Sequence, residues 1–183
     1  MGLFAKSDLA LTIGVPCLHF EYDVANTFLS CMPNIMHYFK LNSFSMQFCA
    51  LKDIKAGEQL FYSYCEPDRN LEQRRAEIAP YGFVCECPAC VNATPETDKL
   101  RNTFANQIAL LEKKLASSSG LGETAIENAV KLEKAMVKEG LDAEFEFVLL
   151  LKVICVAYAK LGKMTDSAKY RVLMDSFQRC YNL

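Results

Sequence analysis

The chain has 183 residues, of which 51% are hydrophobic and 23% are charged, and its formal net charge is -2. This composition is typical of a folded globular protein and excludes collagen-like and intrinsically disordered chains. The nearly balanced charge argues against a strongly basic surface, so we expect no direct nucleic-acid binding. The most apolar stretch, residues 145–161, includes Glu146, Lys152 and Lys160, so we expect no membrane-spanning helix and no membrane partner.

Residues 1–94 predict a small β-rich domain of short strands and turns. Aromatic and β-prone side chains dominate residues 44–51 and 59–64, which favours a strand in each segment. A polar turn lies between the two segments, and its Gly57 can adopt a positive φ. Residues 34–39 form a further apolar, strand-like run.

One short helix is predicted within this first domain. Residues 69–78 favour a helix that ends at Pro80, because proline cannot continue a helix. The charged cluster at residues 72–75 is interpreted as a solvated face of this helix.

Residues 95–183 predict a separate, helical domain. Asp98 is the expected cap of the first helix, Gly140 suits the end of the second, and Thr165 or Asp166 can cap the fourth. The four predicted helices span residues 98–115, 124–139, 143–161 and about 165–180. The third is apolar on nearly all sides, so we expect it to be the buried one. Its predicted core residues are Phe145, Val148, Leu149, Leu151 and Tyr158.

The predicted fold class is therefore α+β. A small β-rich domain over residues 1–94 precedes an antiparallel helical tail over residues 95–183. The four successive helices have similar lengths, and in this they resemble the paired helices of tetratricopeptide-like repeats. No internal sequence repeat is evident.

The nine cysteines carry the strongest chemical signal. Their odd number, without a secretory signal ahead of them, favours a reducing compartment, and we expect the nucleus or the cytoplasm. Cys85, Cys87 and Cys90 form a C-x-C-x-x-C pattern, whose short turns can bring three thiolates onto one tetrahedral zinc ion; the alternative is three unconnected thiols in a loop. Spacing alone leaves five candidates for a fourth ligand: Cys31, Cys49, Cys65, His19 and His37.

Three motifs occur in an order that resembles a known family. They are Ser30-Cys31-Met32-Pro33-Asn34, the segment ALKDIKAGEQLFYSY at residues 50–64, and YGFVCECPAC at residues 81–90. Together they resemble the C-terminal half of a SET domain, with the cysteine triplet resembling its post-SET zinc site. The helical tail is similar to that of SMYD-type lysine methyltransferases, and the GLFA sequence from Gly2 resembles the start of a SET domain.

The resemblance implies roles for individual residues. Cys31 becomes the fourth zinc ligand beside the triplet Cys85, Cys87 and Cys90. Tyr64 and Tyr81 become the catalytic tyrosines that line the lysine and methyl-transfer channel. Three residues become cofactor-binding, namely Gly2, Asn34 and Phe83, the last by packing on the adenine of S-adenosylmethionine. The implied function is S-adenosylmethionine-dependent protein-lysine N-methylation, with zinc as a second cofactor and a protein such as a histone as substrate or partner.

The sequence also departs from the family pattern. Phe28 and Leu29 stand where the family has asparagine and histidine, and neither side chain can donate or accept a hydrogen bond. The stretch from Gly2 to Ser30 is short, which implies a truncated SET domain without the inserted MYND finger. These departures support an alternative function: a catalytically inactive, zinc-stabilised protein-interaction module derived from a SET protein.

Overall fold

The computed structural model describes residues 11–14, 29–117 and 121–181. The chain forms two compact units, Met1–Ala93 and Thr94–Leu183. Most of the described residues that belong to regular elements are helical. Within the described part of the chain, none of the helices combines the length and the apolar character that crossing a membrane requires.

The first unit contains a three-stranded antiparallel sheet in the order β1-β3-β2. Its strands are β1 (Leu11–Gly14), β2 (Ile35–Lys40) and β3 (Ser45–Ala50). β2 and β3 form a hairpin in which Ile35 pairs with Ala50 and Lys40 pairs with Ser45. The predicted strand at residues 44–51 and the strand-like run at 34–39 are both confirmed, each within one residue at either end.

The strand predicted at residues 59–64 is wrong. Only an isolated parallel bridge between Leu29 and Tyr62 is present there. The reason is the side chain of Asn34, whose Nδ2 donates to the carbonyl of Gln59 at 2.8 Å and whose Oδ1 accepts from the Phe61 amide at 2.6 Å. A side-chain amide thus takes the hydrogen-bonding groups that a neighbouring strand would use, and the ladder does not extend.

Two short helices complete the described part of the first unit. Helix α1 (Leu71–Ile78) begins two residues later than predicted, because Asn70 caps it and accepts a hydrogen bond from the Gln73 amide at 2.9 Å. A tight turn over Ala79–Tyr81 follows, and Gly82 reverses the chain with a φ of 73°. The second helix, α2 (Pro88–Val91), is a single turn.

Four long helices form the second unit. They are α3 (Pro95–Ala116), α4 (Glu123–Lys138), α5 (Phe145–Lys160) and α6 (Met164–Tyr181). α3 begins ahead of the predicted cap Asp98, because Thr94 accepts a hydrogen bond from the Thr97 amide and caps the helix instead. α6 likewise begins ahead of Thr165 and Asp166. Gly140 has a φ of 71° just beyond α4, as its predicted position requires.

α5 is the central helix of this unit and packs against α3, α4 and α6. Of the predicted core residues, Val148 and Leu151 are buried, whereas Leu149 and Tyr158 are half-buried. The prediction for Phe145 is wrong: it is the first residue of α5, where fewer neighbours cover it, and 44% of it is exposed. The buried residues of α5 are Phe147, Val148, Leu150, Leu151, Val153, Ile154 and Ala157.

A buried ion pair links two helices of the second unit. Arg101 of α3 has a fully buried side chain, and its Nη2 lies 3.4 Å from Oε2 of Glu139 at the end of α4. The same Nη2 donates to the backbone carbonyl of Glu139. Removing either member would leave a charge or a carbonyl buried without this partner.

Candidate functional site

Four cysteine sulfurs form one group in the first unit. The Sγ atoms of Cys31, Cys85, Cys87 and Cys90 all lie within 4.8 Å of one another, and those of Cys31 and Cys90 are 3.5 Å apart. Three of these residues are buried, and Cys87 is half-buried. The structure therefore brings together the four residues that the family resemblance assigned to one zinc ion.

Local chain geometry explains how the triplet converges. Cys87 is extended and precedes the single turn of α2, where Pro88 occupies the first helical position and needs no hydrogen-bond partner. The amides of Cys90 and Val91 both donate to the carbonyl of Cys87, at 2.9 and 3.0 Å. This turn brings Cys90 back beside Cys87 and directs both sulfurs toward Cys31.

The sulfur group has dimensions that suit a zinc ion. Zn–S bonds of about 2.3 Å in a tetrahedron require sulfurs about 3.8 Å apart, which lies inside the observed range of separations. Thiolate is a soft ligand that favours zinc over magnesium or calcium. Four protein sulfurs fill a tetrahedral shell and leave no position for water, as in structural zinc sites.

Close packing of the thiols changes their acidity unevenly. Hydrogen bonding with Cys31 lowers the pKa of Cys85, and it lowers the pKa of Cys87 to about 6. The pKa of Cys31 itself is raised, first by its hydrogen bonds with Cys65 and Cys85. The pKa of Cys90 is raised as well, so Cys31 and Cys90 keep their protons and can donate hydrogen bonds to the more acidic Cys85 and Cys87. A bound cation can replace those protons.

Two further residues adjoin the sulfur group. Cys65 is buried with its Sγ 3.6 Å from Sγ of Cys31, but it is outside the four-sulfur group. Arg74 of α1 is also buried, and its Nη2 lies 3.9 Å from Sγ of Cys90. The interpretation of residues 72–75 as a solvated face is therefore wrong at Arg74, which shares a helix face with Leu71 and Ile78. That spacing was the sequence signal for its burial.

Three further residues were candidates for the fourth ligand: His19, His37 and Cys49. His37 lies in β2 and Cys49 in β3, and their side chains are outside the described part of the chain. His19 lies outside the described residues altogether. Among the described side chains, Cys31 is the one that completes the group with the triplet.

Three tyrosine rings form a second cluster in the same unit. Tyr62 and Tyr64 meet edge to face with ring centroids 4.5 Å apart, and Tyr64 stacks on Tyr81 with centroids 4.9 Å apart. The hydroxyls of Tyr62 and Tyr64 are hydrogen-bonded to each other. Burial, followed by that hydrogen bond, raises the pKa of Tyr62, so its phenol stays protonated at neutral pH. Tyr81 is 44% exposed, which opens the cluster to solvent.

The tyrosine cluster and the sulfur group share one core. Tyr64 and Phe83 pack against a buried cluster formed by Leu29, Cys31, Cys65, Ile78, Cys85 and Cys90. The backbone leading to Tyr62 and Tyr64 is held by the amide of Asn34, which bonds to Gln59 and Phe61. Asn34 is buried, so in this structure its side chain positions the tyrosine segment. Gly2, the other predicted cofactor residue, lies outside the described residues.

Leu29 is a buried member of this core and packs beside the cysteines. It is 5% exposed and forms the backbone bridge to Tyr62. An apolar side chain at this position extends the hydrophobic contacts of the sulfur group. Phe28, the other departure from the family pattern, lies outside the described residues.

Comparison with known proteins agrees with the sequence motifs. Residues 17–65 match the SET domain family. This segment therefore carries SET-domain sequence, and the chain is similar to SMYD-type lysine methyltransferases. The matched segment includes Cys31, Asn34, Tyr62 and Tyr64, whereas the triplet at residues 85–90 follows it, as a post-SET site would.

Three relatives illustrate how far the similarity extends. Protein-lysine N-trimethyltransferase SMYD5 of Homo sapiens is 38% identical over 71 residues, which cover 37% of this chain and 17% of that protein. A SET domain-containing protein of Acanthamoeba polyphaga mimivirus is 28% identical over 114 residues, covering 54% of this chain and 44% of that protein. Histone-lysine N-methyltransferase SET5 of Meyerozyma guilliermondii is 38% identical over 55 residues, covering 30% and 11%. The match thus spans less than half the length of each relative.

Proposed function

We propose that the chain belongs to a protein-lysine N-methyltransferase that uses S-adenosylmethionine. The observation that supports this best is the tyrosine cluster of Tyr62, Tyr64 and Tyr81, which begins within the SET-matched segment and rests on the core of the sulfur group. Two of the relatives are named as a protein-lysine trimethyltransferase and a histone-lysine methyltransferase, which supports the same reaction.

The proposed zinc ion is held by Cys31, Cys85, Cys87 and Cys90. When bound, it supplies a cross-link between chain segments, because a closed shell of four thiolates provides no open position for Lewis-acid chemistry. The cross-link joins the segment after Leu29 to the segment that follows Phe83. Both segments contribute to the buried core on which Tyr64 and Phe83 pack, so the metal would stabilise the tyrosine cluster without touching the substrate.

The proposed chemistry requires alignment more than activation. When bound, S-adenosylmethionine supplies a methyl group attached to a sulfonium sulfur, and this sulfur is the leaving group, which departs as a neutral thioether. The hydroxyl of Tyr64, already oriented by Tyr62, can hydrogen-bond a neutral lysine amine and direct its lone pair along the line of displacement. The ring of Tyr81 can exclude water from one side of that amine. Phe83 is proposed to pack on the adenine, with Gly2 and Asn34 in the cofactor-binding segments.

The finer architecture is also part of this proposal. The sheet of the first unit is assigned to a β-rich SET-like fold, and the four helices of the second unit are assigned to a tetratricopeptide-like tail that contacts a protein partner. A protein is the proposed substrate, with histones as its first test. The proposed location is the nucleus or the cytoplasm, where free thiols are maintained.

The proposal can be tested by cofactor binding and by methyl transfer. Calorimetric titration should show saturable S-adenosylmethionine binding, and mass spectrometry should show methyl groups added to lysine in histones or in a lysine peptide library. Tyr64→Phe should slow transfer by roughly 2- to 13-fold, the equivalent of one net hydrogen bond. Tyr158→Phe, a change in the other unit, is the matched control. Absence of both binding and transfer at millimolar cofactor would reject the enzyme proposal.

One observation favours the second candidate, an inactive zinc-stabilised interaction module. Leu29 stands where the family pattern has a polar residue, and it is buried in the core of the sulfur group. A position devoted to packing contributes to the module's stability and not to cofactor binding. Full zinc content combined with a flat cofactor titration would support this candidate over the enzyme.

A further inference from the structure

Arg74 is a buried cation beside the sulfur group. Only 1% of it is exposed, although the next residue of α1, Arg75, is exposed. Burying a guanidinium costs free energy unless nearby groups accept its hydrogen bonds and supply negative charge. The groups that Arg74 contacts therefore indicate its role.

Its guanidinium joins two segments of the first unit. Nη1 donates to the backbone carbonyl of Arg69, which precedes α1, at 2.6 Å. Nη2 lies 3.3 Å from the carbonyl oxygen of Ala89 and 3.9 Å from Sγ of Cys90, both in α2. Of these three acceptors, only the sulfur can become fully negative.

We propose that Arg74 is a positioning residue of the four-cysteine metal centre. Its guanidinium holds α2 against α1 and offsets the negative charge of the metal-bound thiolates through Cys90. This inference rests on the proposed zinc site, and it assigns a role to a residue outside the four ligands.

The charge balance of the site gives the physical reason. Four thiolates carry more negative charge than one zinc ion neutralises, and this excess lies in a buried core. A permanent cation 3.9 Å from Sγ of Cys90 offsets part of this excess negative charge, which favours the metal-bound form of the site. Arginine suits the position because it stays charged at any accessible pH and its planar fork reaches Arg69 through Nη1 and both Ala89 and Cys90 through Nη2.

The experiment compares Arg74→Gln, which removes the charge, with Arg74→Lys, which keeps it, in the full chain. Arg75→Gln removes an exposed arginine from the next position and is the matched control. Zinc affinity is measured by competition with a chromogenic chelator. Loss of an outer-shell partner commonly costs roughly 10- to 100-fold in metal affinity, so we expect that loss for Arg74→Gln, a smaller loss for Arg74→Lys and none for Arg75→Gln.

Two readouts report on the thiolates themselves. Without the guanidinium, the zinc-bound sulfurs should react faster with N-ethylmaleimide. The reaction should be fastest in Arg74→Gln, slower in Arg74→Lys and slowest in the parent. In the cobalt-substituted protein, the sulfur-to-cobalt charge-transfer band should move to lower energy in Arg74→Gln. A purely mechanical contact between α1 and α2 would not shift that band.

The outcomes separate the two proposals. A parent chain that binds no zinc would overturn the metal centre. A parent that binds zinc, beside an Arg74→Gln variant with unchanged affinity, alkylation rate and cobalt spectrum, would overturn this inference alone. If Arg74→Gln does not fold, the alkylation rate of zinc-loaded Arg74→Lys decides. A rate near that of the zinc-loaded parent supports charge compensation, whereas a rate as fast as that of the zinc-free parent contradicts it.

Discussion

Cys31 and Cys65 offer a sharp test of the proposed ligand set. Both residues are buried and their sulfurs are 3.6 Å apart, but only Cys31 belongs to the four-sulfur group. Cys31→Ser and Cys65→Ser each replace a buried thiol by the same hydroxyl. We therefore expect zinc to be lost in the first variant and retained in the second.

The expected magnitude follows from the number of ligands. Structural zinc sites bind with about 10–16 kcal/mol, so equal division over four thiolates assigns about 2.5–4 kcal/mol to each. A serine hydroxyl keeps its proton at neutral pH and replaces little of this. Cys31→Ser should weaken zinc binding roughly 10²- to 10³-fold. Cys65→Ser removes weak hydrogen bonds to Cys31 and Ser63, which should cost about 1 kcal/mol of unfolding free energy.

Three measurements check this prediction: zinc content after purification, competition with a chelator, and denaturant unfolding with and without chelator. Cys155→Ser, a half-buried thiol of the second unit, controls for general effects of removing a cysteine. A Cys31→Ser protein with full zinc content and parental stability would refute the ligand assignment. Zinc loss in Cys65→Ser would place that residue among the ligands instead.

Two further predictions concern the helical unit. Leu150→Ala should lower the free energy of unfolding by about 2–5 kcal/mol because Leu150 is 0% exposed, whereas Leu110→Ala, at a residue 53% exposed, should change it by no more than about 0.5 kcal/mol. Equal melting temperatures for the two variants would show that α5 is not the centre of the unit. Arg101→Met should cost about 3–5 kcal/mol in urea unfolding, because the buried Glu139 loses its cationic partner. An Arg101→Met protein as stable as the parent would mean that the ion pair contributes nothing net.

The sequence predicted those features that depend on short chain distances. Cys85, Cys87 and Cys90 are close because few residues separate them, so their spacing alone indicates a shared ion. Spacing could not choose Cys31 over Cys65, because both are remote in sequence from the triplet and the choice depends on tertiary packing. The family resemblance named Cys31, and the structure brings its sulfur into the group.

Predictions failed where one side chain changed the backbone pairing or the burial. β-prone residues at 59–64 do not form a strand, because Asn34 takes the hydrogen bonds that a ladder would need. The start of α3 was misplaced because Thr94 and Asp98 are both good caps, and local propensity does not rank them. Arg74 was misread because charge usually indicates exposure, and its helix-face relation to Ile78 carried the opposite information.

The position of the tyrosines in the chain indicates how the proposed zinc site can support the tyrosine cluster without contacting a substrate. Tyr64 directly precedes Cys65, which contacts Cys31, and Tyr81 lies shortly before Cys85. The stacking of Tyr64 on Tyr81 therefore depends on two chain segments that the metal would join through Cys31 and Cys85. The packing of Tyr64 and Phe83 on the same core adds a second, apolar link. Loss of the proposed zinc ion should consequently separate the tyrosine rings whether or not the chain methylates a substrate.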